Sequence, residues 1–171
     1  MPALPALVTR GWSVAVDIDA TVPAPREVVW ELVTDWERQG DWMLEASDFV
    51  VTSAHREGVG VEAEATITIA GITTRDRVRV AVWEPPHRLA IEHLGWVSGR
   101  GEIDLVPSGP GRSHMFWREE LRPPLGLLGA LGLTAFKPMM RRIFERDLRV
   151  LQALAARRAD LQETDGPGRI S

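Results

Sequence analysis

The chain has 171 residues, a formal net charge of −4, 44% hydrophobic and 26% charged residues, and no cysteine. That length suits one domain with a core of its own. The acidic balance argues against a nucleic-acid partner, and the missing cysteine removes disulfides, thiolate metal ligands and cysteine nucleophiles.

The opening MPALPALVTRGW has no basic segment leading into an apolar core and does not read as a signal peptide. Val14 to Thr21 alternates, with Val14, Val16, Ile18 and Ala20 on one side, and predicts a half-buried strand. After Pro23 and Pro25, the apolar spacing of Val28, Val29, Leu32, Val33 and Trp36 predicts an amphipathic helix. Gly40 ends or bends it, and a second short turn carries Trp42. From Asp48 the period becomes two. Phe49 to Ser53, Val61 to Ala70, Thr73 to Glu84, His87 to Trp96, Arg100 to Val106 and His114 to Leu121 read as consecutive strands with short turns, an antiparallel meander. In Thr73 to Glu84, Arg75, Arg77 and Arg79 share a solvated face opposite Asp76, Val78, Val80 and Val82.

Ala135 to Arg158 predicts a long helix with an apolar stripe through Met140, Ile143, Phe144, Leu148, Leu151, Leu154 and Ala155, and Pro138 near its start. The preceding run Leu125 to Phe136 is the longest apolar stretch, short of the roughly 20 residues that cross a bilayer. It reads as a packed first helical turn, with a mobile portal touching an anionic membrane as the alternative, since Lys137, Arg141 and Arg142 follow it. The expected division is an N-terminal extension over 1–12, one domain over 13–159 and a disordered polar tail over 160–171. The expected setting is a soluble, cytoplasmic protein of open oligomeric state, monomer or homodimer, without stable membrane insertion.

The order strand, two short helices, strands, long helix predicts an α+β fold in which a curved sheet buries one face against the last helix. Such a wrap leaves a gap, and that gap is where a ligand is expected. The run IDATVPAPREVVWELVTDWERQGDW, through Asp19, Ala20, Ala24, Pro25, Val28, Trp30, Asp35, Trp36 and Trp42, resembles the opening of the polyketide cyclase/dehydrase branch of the START-like (SRPBCC) superfamily. EPPHRL at Glu84 to Leu89, SGRGEIDL at Ser98 to Leu105 and WREEL at Trp117 to Leu121 extend the resemblance. It implies a helix-grip fold of about seven antiparallel strands around the C-terminal helix. It implies as function either a carrier of lipid-like or polycyclic ligands or an aromatic polyketide cyclase.

Strand and helix phase then nominate the cavity wall: Ile67, Ile69, Val78, Val80, Leu89, Ile91, Ile103, Leu105, Met115 and Trp117 from the sheet, with Phe136, Met140, Ile143, Phe144 and Leu148 from the helix. Trp42 is read as a structural corner at the entrance, one ring edging the cavity. Three polar residues share these inward faces: Asp76 with Val78, His93 with Leu89 and Ile91, and Glu119 with Met115 and Trp117. A buried carboxylate beside an imidazole is an acid/base pair, which polyketide cyclisation and dehydration need and which calls for no metal or nucleotide. Binding alone and catalysis both remain open. The histidines at 55, 87, 93 and 114 lack metal-ligand spacing, and His55 and His87 fall in turns. The alternating glycines at 58, 60, 99, 101, 109 and 111 read as turn and bulge residues, not a phosphate cradle. No metal and no cofactor is therefore expected.

Overall fold

The computed structural model describes residues 12–165. Strand β1 (Val14–Val22) leads into helix α1 (Arg26–Thr34) and a 3-10 turn (Trp36–Asp41). Strands β2 (Ala46–Val51), β3 (Glu62–Ile69), β4 (Ile72–Glu84), β5 (Arg88–Leu94), β6 (Ser98–Pro107) and β7 (Ser113–Arg122) follow, and helix α2 (Gly126–Asp165) closes the chain. The sheet has seven strands in the order β1-β7-β6-β5-β4-β3-β2, every pair antiparallel. It is an α+β helix-grip architecture. The β3–β4 hairpin turns on Ala70 and Gly71, both at positive φ (52° and 80°), as a two-residue turn matched to strand twist requires.

α1 ends earlier than its apolar pattern suggests. The chain leaves helical geometry at Asp35 (ψ 83°), and Gly40 lies inside the 3-10 turn that follows. The buried Gln39 amide donates to the Val33 carbonyl at 2.6 Å, satisfying a helix-end acceptor that has no partner within the helix. Trp36 and Trp42 are both buried. Trp36 packs beside Trp83 and donates its indole N–H to the Arg56 carbonyl, and Trp42 meets Trp117 edge-on.

α2 starts at Gly126, upstream of the predicted Ala135, and carries Pro138 in its interior. It continues to Asp165, so the part of the polar tail up to that residue is helical; 1–11 and 166–171 lie outside the described residues. Its stripe of Met140, Phe144, Leu148, Leu151 and Ala155 joins the main core with Val16, Ile18, Leu105, Met115 and Trp117. The helix seats chiefly on β1 and α1, which leaves space above the strands farther along the sheet. From Gly126 the segment is helical and only partly packed: Ala130 is buried and Leu133 packs against the core, whereas Leu125 is 78% exposed, Leu128 75% and Phe136 44%. The packed-turn reading therefore holds for one face of this stretch, through Ala130 and Leu133, and is corrected for Leu125, Leu128 and Phe136, which face away from the core. No helix among the described residues is long and apolar enough to cross a membrane.

Candidate functional site

The inner face of the sheet is built by strand parity. β4 turns Arg75, Arg77 and Arg79 outward, where Arg79 pairs with Glu92 at 2.9 Å, and Asp76 inward. β5 turns Leu89, Ile91 and His93 inward; β7 does the same with Met115, Trp117 and Glu119. Between β5 and β7 runs β6, and its residues facing this region are glycines. Gly99 pairs with His93 on one side and Leu121 on the other; Gly101 pairs with Ile91 and Glu119. With no side chain on the intervening strand, His93 and Glu119 meet across it. These two glycines are strand residues, not the turn or bulge positions their spacing suggests. A Cβ on Gly101 would lie 2.6 Å from Glu119 Oε1, and one on Gly95 2.7 Å from Asp76 Oδ1, so both carboxylates occupy space that only glycine leaves free.

The three polar candidates form one hydrogen-bonded cluster. His93 Nδ1 donates to Asp76 Oδ2 at 2.6 Å and Nε2 donates to Glu119 Oε2 at 3.1 Å. Trp117 donates its indole N–H to Glu119 Oε1 at 2.8 Å. Burial alone would push the His93 pKa down; the Glu119 charge and the hydrogen bonds to Asp76 and Glu119 outweigh it and raise the value to about 10. At neutral pH His93 is an imidazolium with both N–H groups committed. It is a donor and a counterion, not a free base, so any proton acceptor in the cluster is a carboxylate.

This cluster lies in the wall of a cavity of about 210 Å³ between sheet and α2. Of the nominated residues, Ile67, Ile69, Trp117, Met140 and Phe144 line it, together with Met43, Glu45, Thr74, Arg75, Trp96, Val97, Leu121 and Leu133, which sequence reasoning did not nominate. A smaller space of about 50 Å³ is lined by Trp42, Leu89, Ile91 and Ile103, and shares Met43, Trp117 and Glu119 with the larger one. The nominations of Val78, Val80, Leu105, Met115, Ile143 and Leu148 are corrected: none lines either space. Val80, Leu105, Met115 and Leu148 are packed into the core. Phe136 is corrected too, since it stands 44% exposed on the upstream half of α2. His55 is exposed in the connection between β2 and β3, and His87 in the turn between β4 and β5.

A family model described as polyketide cyclase / dehydrase and lipid transport matches residues 13–156. Uncharacterized protein Rv1546 of Mycobacterium tuberculosis is 27% identical over 126 residues, which are 72% of this chain and 88% of that protein. Among solved structures, TTHA0849 of Thermus thermophilus superposes with a TM-score of 0.73 at 19% identity, over 85% of this chain and 99% of that one. The ZhuI aromatase/cyclase of a Streptomyces species gives 0.66 at 19%, over 92% and 99%. A START superfamily protein of Mycobacterium smegmatis gives 0.64 at 17%, over 86% and 97%. At these identities the structural likeness establishes the fold.

Proposed function

The chain belongs to the polyketide cyclase/dehydrase and lipid transport family, and from that premise we propose that it binds a hydrophobic small molecule between the sheet and α2, as a carrier or binding protein. The observation that carries this reading is the cavity of about 210 Å³, walled by Ile67, Ile69, Trp117, Met140 and Phe144 with a few convergent polar groups. That is the composition of a small-molecule site. Its volume exceeds the roughly 150 Å³ of an engineered apolar cavity that holds benzene. Native mass spectrometry of freshly purified protein is expected to show the chain mass plus a small apolar adduct that organic solvent removes. Adduct-free protein that also fails to take up an added apolar fluorophore sinks this reading.

The His93 cluster favours a second reading, acid/base catalysis on a polyketide-like ketone. A carboxylate, Glu119 or Asp76, would take a proton from the carbon beside a carbonyl, and the His93 N–H that this protonation releases would turn to the oxygen on which charge develops. Such a pair needs no metal or nucleotide. His93→Ala and Glu119→Gln are expected to cut turnover by roughly 10²-fold or more while changing ligand affinity little. Unchanged turnover in both variants removes the catalytic role and leaves the cluster as a binding and folding element.

A further inference from the structure

Three separate elements leave large apolar side chains in the open around one end of the cavity. Trp96, in the β5–β6 turn, lines the cavity and is nevertheless 70% exposed, so it stands at the mouth. The β3–β4 hairpin flanks the same mouth through Ile69 and Thr74, and just past its turn it carries the exposed Ile72. The first turns of α2 complete the rim. Leu133 reaches the cavity from this stretch, while Leu128 and Leu131, on the other side of the helix, are exposed. Apolar side chains gathered in the open beside a cavity mark an interaction surface.

Charge selects the partner. Residues 121–144 carry Arg122, Lys137, Arg141 and Arg142 and no acidic residue, in a chain whose net charge is −4. Arg141 pairs with Glu145 at 2.8 Å and Arg122 lies 3.8 Å from Glu120. Lys137 and Arg142 are exposed and have no ion-pair partner among the described residues. Arg142 follows Leu128, Leu131 and Ala135 at helical spacing, so one exposed face of α2 runs from apolar to basic. That order suits an anionic bilayer, where leucines enter the boundary of the acyl chains and cations stay among the headgroups. A second copy of the chain suits it less. A two-fold contact through this face would bring basic patch to basic patch, with no acidic residue in the stretch to pair them.

We propose that this rim, Leu128 and Leu131 with Ile72 and Trp96, is a docking surface for an anionic lipid bilayer, with Lys137 and Arg142 supplying the headgroup contacts. The contact is peripheral, since the apolar run is too short to span. Docking stands on the rim alone; the ligand-binding reading adds its use. A mouth pressed to the bilayer lets an apolar ligand pass between cavity and lipid without crossing water.

The test is flotation of the native chain with vesicles of phosphatidylcholine alone, or with about one-third phosphatidylserine, at low and high salt. Binding is expected on the mixed vesicles at low salt, and much less on phosphatidylcholine or at high salt. Lys137→Gln with Arg142→Gln is expected to weaken it roughly 25-fold, about fivefold for each charge. Leu128→Ser with Leu131→Ser is expected to weaken it about tenfold or more. All four side chains are exposed and none lines the cavity, so both double variants are expected to fold and to take up an apolar fluorophore from solution as the native chain does. Brominated acyl chains in the mixed vesicles are expected to quench tryptophan fluorescence, and Trp96→Phe to lose most of that quenching.

Absence of flotation on the mixed vesicles at low salt overturns the proposal, as does flotation that neither double variant weakens. Quenching that Trp96→Phe leaves intact overturns the placement of the mouth on the bilayer. A dimer in light scattering that Leu128→Ser with Leu131→Ser breaks, without flotation, gives this face to a second copy and overturns the proposal too. Failure of the native chain to take up the fluorophore sinks the ligand-binding reading, while flotation decides the docking surface independently.

Discussion

Urea denaturation at pH 7 is expected to find His93→Ala about 3–5 kcal/mol less stable than the native chain, the usual cost of removing one partner from a buried ion pair. The Asp76 and Glu119 side chains are only 18% and 8% exposed and both accept from His93, so truncation strands two carboxylates in a poorly hydrated wall. Water reaching the new space offsets part of that cost. Combining His93→Leu with Asp76→Asn and Glu119→Gln is expected to recover much of the loss, since no buried charge is then left unpaired. The pH dependence has a definite sign. The His93 pKa rises from 6.5 to about 10 on folding, so its contribution is fully present below pH 6.5 and lost as pH climbs through about 10. Native stability should therefore decline across that interval, and His93→Ala should lose most of that slope. A variant within about 0.5 kcal/mol of native, the range of ordinary surface substitutions, or one that keeps the full slope, rules out an ionic core in this cluster.

That Asp76, His93 and Glu119 could meet was legible because period-two alternation places each on the apolar face of its strand. What alternation cannot supply is depth. Val80 and Met115 share the inward face with cavity residues but are covered by packing, at 2% and 0% exposure. Whether an inward side chain reaches core or cavity depends on where α2 crosses, which no local pattern records. The means by which His93 reaches Glu119 was hidden for a related reason: Gly99 and Gly101 look like turn residues until the strand pairing puts them between the two. Asp147 did leave a signal. It interrupts the α2 stripe between Phe144 and Leu148, and a carboxylate on a buried face calls for a partner, here Arg146 at 2.7 Å. Glu45, which Arg146 also bridges at 2.7 Å, left none, because it sits in an aperiodic connection and becomes buried only when α2 packs against it.

Trp117 is where the packing of the fold and the chemistry of the site join, and its substitution separates the two. The indole is 3% exposed, meets Trp42 edge-on at 5.5 Å and Phe144 at 4.9 Å, and lines both internal spaces. Trp117→Ala is expected to cost about 3–5 kcal/mol in urea denaturation, through lost apolar burial and incomplete collapse of the void. Trp117→Phe keeps most of the aromatic contact but removes the N–H donated to Glu119 Oε1 at 2.8 Å. Leaving that buried acceptor short of a donor is expected to cost about 1–3 kcal/mol, less than the alanine variant loses. Function separates the variants further. Opening the partition between the two spaces should let Trp117→Ala bind an apolar fluorophore too large for the native cavity. Trp117→Phe should bind the same ligands as the native chain, with the Glu119 carboxylate held by His93 alone. If Trp117→Phe matches the native chain in stability, the indole N–H does not position Glu119. If Trp117→Ala costs no more than Trp117→Phe, the ring is not the partition its contacts describe.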